Sequence, residues 1–148
     1  EGYKTGLNSR DLGRVSEQIL KQSRKYGYDP LFLTALIITE SSFNNWARSR
    51  KGALGLMQIK PKTGFAIANE TNLKWRGRET LFDPNINIVL GVYYLDKLVK
   101  RFGNLQLALE AYNHGPSQLS YFLRRGYRPK RYSGRVFYYY QKIKAQSV

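Results

Sequence analysis

The dipeptide Asp-Pro occurs twice, at Asp29-Pro30 and Asp83-Pro84, each time directly before an apolar run. Nothing else constrains the fold as much. An Asp side chain accepts from the orphan N–H groups of a first helical turn, and proline is best tolerated at the first helical position. After Pro84 the apolar positions Ile88, Val92, Leu95, Val99 and Phe102 alternate by four and three, and Gly103 follows. That spacing predicts a long helix with one buried face. "NSRDLGRVSEQILKQSRKYG" reads as another, with Ser9 as N-cap, apolar Leu12, Val15 and Ile19, and Gly27 as the stop.

"NLQLALEAYN" and "SQLSYFLRRG" predict two shorter helices around the break His114 to Pro116, and "RYSGRVFYYYQKIKAQ" a basic, tyrosine-rich closing helix. From Ser42 to Thr80 the pattern is poorer. "SSFNNWARSRKGALG" reads as a loop, and "PKTGFAIAN" as a short helix with Pro61 near its start. Alternating strands are absent, so the expected class is mostly α. The 148 residues carry no internal repeat and no linker, which predicts one domain over residues 1–148 with a real core.

Within the second helix, "ALIITESSFN", one acid ends an apolar stretch. Leu33, Leu36, Ile37 and Glu40 share one helical face. That face should point into the core, and a carboxyl group sent there needs a partner or a purpose, because burying it ionised is costly. Desolvation would raise its pKa and let it hold a proton near neutrality. From the helix alone, a Glu whose head reaches solvent is the commoner outcome.

Composition removes several alternatives. With no cysteine there is neither a disulfide nor thiolate catalysis. One histidine, His114, makes a zinc site improbable and leaves a single candidate for any Ser-His-Asp triad. No metal or other cofactor is expected. The longest apolar run, Leu31 to Ile38, is too short to cross a bilayer. A formal charge of +15, spread along the whole chain, should draw the protein to a polyanion: nucleic acid, wall polymer or an anionic membrane surface. The chain starts at Glu1 rather than Met and shows no signal-peptide pattern, which fits a mature or trimmed product.

Three stretches occur in a telling order. "ESSFN" is followed by "SRKGALGLMQIKP" (Ser49 to Pro61), then "AYNHGP" (Ala111 to Pro116), then "RYSGRVFYY" (Arg131 to Tyr139). From about Tyr26 to the C-terminus the sequence resembles the catalytic domain of the soluble lytic transglycosylases. The resemblance implies their goose-type lysozyme-like helical fold with a substrate cleft. It also implies peptidoglycan glycan strands as the substrate. The bond cleaved is that between N-acetylmuramic acid and N-acetylglucosamine, and the product ends in 1,6-anhydro-muramic acid instead of taking up water. An exported protein of the periplasm or cell envelope, a monomer without stable membrane insertion or nucleic-acid partner, is the expectation that goes with it.

The residues can be asked separately whether they support this chemistry. Most glycosidases need a second carboxylate. Ser41 to Asn69 holds no Asp or Glu, and the next acids, Glu70 and Glu79, lie in a polar, surface-like segment. One acid suffices if the sugar supplies its own 2-acetamido oxygen and 6-hydroxyl, with Glu40 as acid and then as base.

By resemblance the helper residues are substrate-binding. Ser49 orients the acetamido group, and Met57 and Gln58 sit in "GLMQ", where Gly55 lets backbone approach the sugar and Gln58 can hydrogen-bond it. For Met57, core filling is an equal alternative. Asn113 fixes backbone near the acid, Tyr112 stacks or bonds at the cleft, and Tyr132 points its hydroxyl at the acid or sugar. His114 is read as a loop residue. Glu110 stands where the family often has a small residue, and could be a second acid close to the cleft. Trp46 and Trp75 are read as core or rim packing.

Three competitors follow. A goose-type lysozyme would hydrolyse the same bond, but would place acids where this chain has "NNWARSRKGALG". A basic nucleic-acid module explains the charge and the tyrosines, not Glu40. A wall-binding protein without catalysis would not need an intact Glu40.

Overall fold

The computed structural model describes residues 4–147. Among the described residues seven α-helices follow in order: α1 Ser9–Tyr26, α2 Pro30–Ser41, α3 Pro61–Glu70, α4 Pro84–Phe102, α5 Leu105–His114, α6 Pro116–Arg124 and α7 Arg131–Gln146. A 3₁₀ turn, Arg78–Phe82, precedes α4. No extended strand lies among the described residues, only isolated bridges pairing Leu54 with Arg48 and Ile59. The mostly-α expectation is borne out. None of these helices is long and apolar enough to cross a membrane.

The punctuation works as its chemistry requires. Asp29 accepts from Leu31 N, and Asp83 accepts from Asn85 N and Ile86 N. Gly27 and Gly103 end α1 and α4 in the left-handed conformation that a Cβ disfavours. One reading needs correction. Asn8, not Ser9, caps α1, its side chain accepting from Asp11 N at 2.8 Å. Both residue types suit a cap.

Helix α2 is the core of the molecule. The sequence predicts one buried face, yet Phe32, Leu33, Ala35, Leu36, Ile37 and Ile38 are all buried. Neighbours enclose it on most sides: α7 packs along it, and α1 also contacts it. Two tyrosines pin its start, and both hydroxyls donate. Tyr140 of α7 donates to Asp29 Oδ2 at 2.6 Å, and Tyr28 to Asp96 of α4 at 2.9 Å. Each large apolar side chain buried here stabilises the fold by about 1.5–3 kcal/mol.

The segment from Ser41 to Gly55, expected as a polar loop, is anchored, with the residues that follow it to Lys60, more firmly than that composition suggests. Ala53, Leu54, Leu56, Met57 and Ile59 are buried. Asn87, fully buried on α4, staples it. Its side chain accepts from Met57 N at 2.7 Å and donates to Leu54 O at 3.0 Å and Leu81 O at 2.8 Å. One turn on, Gly91 leaves room for Met57, whose Cβ and Cε would lie 2.8 and 2.9 Å from any added methyl. Asn87 and Gly91 thus form a stripe on α4 that admits the loop at close range.

Candidate active site

Glu40 sits in the last turn of α2, where the helix runs out of the core into a cleft. Ser41 ties this end down by donating to Leu56 O at 2.8 Å. Directly after it the chain turns through two left-handed residues that are not glycine, Ser42 (φ 52°) and Phe43 (φ 62°), and Gln58 across the cleft is left-handed as well (φ 52°). Such conformations cost roughly 1–3 kcal/mol each and persist where the surroundings enforce them.

The cleft has a volume of about 400 Å³. It is lined by Ser49 to Lys51 and Gln58 to Lys60 together with Tyr94, Tyr112, Asn113 and His114. Glu40 is the sole acid among the described residues that line it, and Arg50, Lys51 and Lys60 are its cations. A second hollow of about 360 Å³ shares Thr63, Tyr94 and Pro116 with it and carries Lys62, Lys97 and Arg101. The two hollows therefore adjoin each other.

The Glu40 carboxyl is pushed up to about 7 by burial, against a hydrogen bond from Tyr132 and the charge of Arg135, which both lower it. Tyr132 donates to Glu40 Oε1. Burial, then the neighbouring Glu40, hold the Tyr132 phenol well above its ordinary range, so it remains a donor. Tyr112 is raised for the same reasons and donates to Met57 O at 2.6 Å.

Of the residues singled out in the sequence, Glu40, Ser49, Gln58, Tyr112 and Asn113 line the cleft together. Tyr132 is buried and reaches Glu40 from α7. Ser49 accepts from Ala53 N at 3.0 Å, which leaves its hydroxyl hydrogen to donate. Gln58 spends its amide hydrogens on Ala47 O (3.1 Å) and Gly55 O (2.9 Å), which leaves a carbonyl oxygen to offer.

Other placements differ from expectation. The Met57 side chain lies wholly in the core and only its backbone faces Tyr112. Gly55 is pressed against the Asn87 amide and Leu81 O rather than toward the cleft. Asn113 is exposed on the cleft lining, and among the described residues its side chain makes no hydrogen bond to backbone. His114 ends α5 instead of lying in a loop, and lines the rim. Glu110 is fully buried and does not line the cleft. Glu79 lies on the surface, as does Glu70, which pairs with Lys97 at 2.6 Å and borders only the second hollow. Trp46 packs on Phe82 with 5.3 Å between ring centroids, and Trp75 packs on Phe65.

Sequence reasoning missed Asn87 and Tyr94. Asn87 was visible as an amide at core spacing four residues after a cap. Tyr94, whose ring centroid is 5.4 Å from that of Tyr112, carries no signal that separates it from the other tyrosines.

The fold is helical, and its central helix delivers one protonatable acid into a groove with basic walls. Residues 17–133 match the family model of the transglycosylase SLT domain, and the chain belongs to that family. The match begins within α1, earlier than the resemblance read from the motifs. The chain is 33% identical over 120 residues to a transglycosylase of Enterobacteria phage PRD1, covering 81% of this chain and 40% of the relative. It is 38% identical over 132 residues to membrane-bound lytic murein transglycosylase E of Buchnera aphidicola, covering 79% and 60%. A solved lytic transglycosylase from Pseudomonas aeruginosa shares the fold with a TM-score of 0.74 and 26% identity, over 87% of this chain and 24% of that one. The chain therefore spans less than two thirds of the length of each of these proteins.

Proposed function

We propose that this domain is a peptidoglycan lytic transglycosylase and that Glu40 serves it first as acid and then as base. The observation that carries the reading is the solitary, desolvated Glu40 in a cleft otherwise lined by neutral and basic groups. Tyr132 donates to Oε1, which leaves Oε2 to carry the proton that Glu40 gives up. It passes to the glycosidic oxygen between the muramoyl and glucosaminyl units as the C1–O bond breaks. The 2-acetamido oxygen bonds to C1 in its place, and Ser49 donates to that acetamido group. The 6-hydroxyl of the same sugar then attacks C1 and displaces the acetamido oxygen. Glu40, now a carboxylate, takes its proton and is restored. The product is a 1,6-anhydro end, and no water is consumed.

Gln58 offers an acceptor to a sugar hydroxyl or amide, and Tyr112 and Tyr94 offer apolar faces. We place this activity in the cell envelope, where the substrate is, with residues 1–148 acting as one catalytic domain and as a monomer. Relatives named membrane-bound or soluble murein transglycosylases support that placement. The basic surface is read as affinity for anionic wall polymer rather than for nucleic acid.

Hydrolysis by the usual two-carboxylate route would need a second acid at the cleft, and Glu70, Glu79 and Glu110 are not among the residues that line it. The test is digestion of purified sacculi by the wild type and Glu40→Gln. The wild type should release fragments lighter by one water than lysozyme products, and the variant, which has no proton to give, should stay folded and lose almost all turnover. Near-native turnover by Glu40→Gln would overturn the assignment.

A further inference from the structure

Glu110 takes no part in the chemistry above, yet it is a carboxyl group with no exposed surface. Its Oε2 accepts from Ser133 N of α7 at 2.7 Å. Oε1 has no hydrogen-bond partner and lies 3.5 Å from His114 Nε2 at the cleft rim. The partner at Oε2 explains the burial. Helix α7 begins without a cap of its own: Lys130 makes no side-chain capping bond, and no acid stands in the first turn. Ser133 N is one of the orphan donors of that turn, and a negative charge is favoured at a helix N-terminus. Glu110 therefore caps α7 from a different helix.

Gln106, one turn earlier on α5, reinforces the same joint by donating to Pro129 O at 3.2 Å and Ser133 Oγ at 3.3 Å. Adjacent to Ser133 is Tyr132, which donates to Glu40. Two residues on from Glu110 is Tyr112, which holds Met57 O beside the cleft. A single rigid turn of α5 thus fixes both tyrosines that face the acid.

We propose that Glu110 is a positioning residue for the reaction: by capping α7 across the α5–α7 contact, it sets where the Tyr132 hydroxyl meets Glu40. The proposal rests on Glu40 being the acid. The groups facing Glu40 are Tyr132 and Arg135 of α7 and Tyr112 of α5, and those facing Glu110 are His114 and the first turn of α7. When the Tyr132 bond is loosened, its lowering effect on Glu40 is lost.

The experiment is a double-mutant cycle between Glu110→Ala and Tyr132→Phe, with Glu110→Gln as the conservative variant. The readouts are kcat and KM on sacculi and the Glu40 titration by NMR of carboxyl-labelled glutamate. Glu110→Ala should lower kcat by roughly tenfold with KM unchanged, and should move the Glu40 titration upward. Glu110→Gln, which keeps an acceptor oxygen for Ser133 N, should recover most of both. On the Tyr132→Phe background, Glu110→Ala should change kcat by less than about twofold, because coupled residues do not add. Independent, multiplying losses, or an unmoved Glu40 titration in folded Glu110→Ala, would overturn the proposal. Should Glu110→Ala not fold, Glu110→Gln takes its place in the cycle. Its smaller kcat loss must then vanish on the Tyr132→Phe background, and a loss that persists there would overturn the proposal. Tyr132→Phe and wild type test the assignment of the acid separately, since neither alters Glu110.

Discussion

Tyr132 and Glu40 stand 92 positions apart in the chain, and the phenol of one donates to the carboxyl of the other. The bond joins the first turn of α7 to the last turn of α2. It has two opposed consequences: it fixes the orientation of the carboxyl, and it favours its ionised form. Tyr132→Phe should therefore lower kcat by roughly 10- to 100-fold, as expected for loss of a hydrogen bond to a charged group. An acid must be protonated to act, so activity falls as pH rises through the Glu40 value of about 7. In Tyr132→Phe that limb should move to higher pH, and a pH–rate profile reads it directly.

Retaining a buried acid costs stability, and the sign follows from linkage. Glu40 titrates near 7 in the fold against 4.5 for a free Glu. Below 4.5 both states hold the proton and nothing is lost. As pH rises from there to about 7, only the unfolded state releases it, so stability declines by up to ~3 kcal/mol. Glu40→Gln should melt roughly 10 °C above the wild type at pH 8, and close to it at pH 4. Thermal melts at the two pH values check this.

Asn87→Ala would leave Met57 N and Leu81 O unpaired in the core and would take from Leu54 O one of its two donors, Ile59 N remaining. At roughly 1 kcal/mol for each lost bond, the fold should lose about 3 kcal/mol. Denaturant unfolding measures it, and hydrogen exchange should place the loosening in Ala53–Ile59.

Retention on sacculi should weaken as salt is raised, because exposed charges are screened over about 8 Å at physiological ionic strength. A co-sedimentation series in sodium chloride tests this. Sequence-selective DNA binding that survived high salt would count against it.

What could be read in advance follows from where information is local. Asp29-Pro30, Asp83-Pro84, Gly27 and Gly103 declare helix ends through short-range hydrogen bonding and sterics, and the structure follows them. Glu40 stood out because one acid at core spacing breaks a local rule. Asn87 breaks the same rule, but its partners lie up to 33 positions away. Met57 was ambiguous for a related reason: its carbonyl accepts from Tyr112 of the cleft lining while its side chain fills the space above Gly91. Glu110 lies close to the cleft, 3.5 Å from His114 of its lining, but only the tertiary path of α7 shows that it caps that helix.

The central claim is that bond cleavage consumes no water. The decisive measurement is mass spectrometry of sacculus digests made in ¹⁸O-labelled water. The account predicts muropeptides ending in 1,6-anhydro-muramic acid, one water lighter than lysozyme products and free of label at the new end. Predominantly reducing ends carrying ¹⁸O would mean hydrolysis and contradict it.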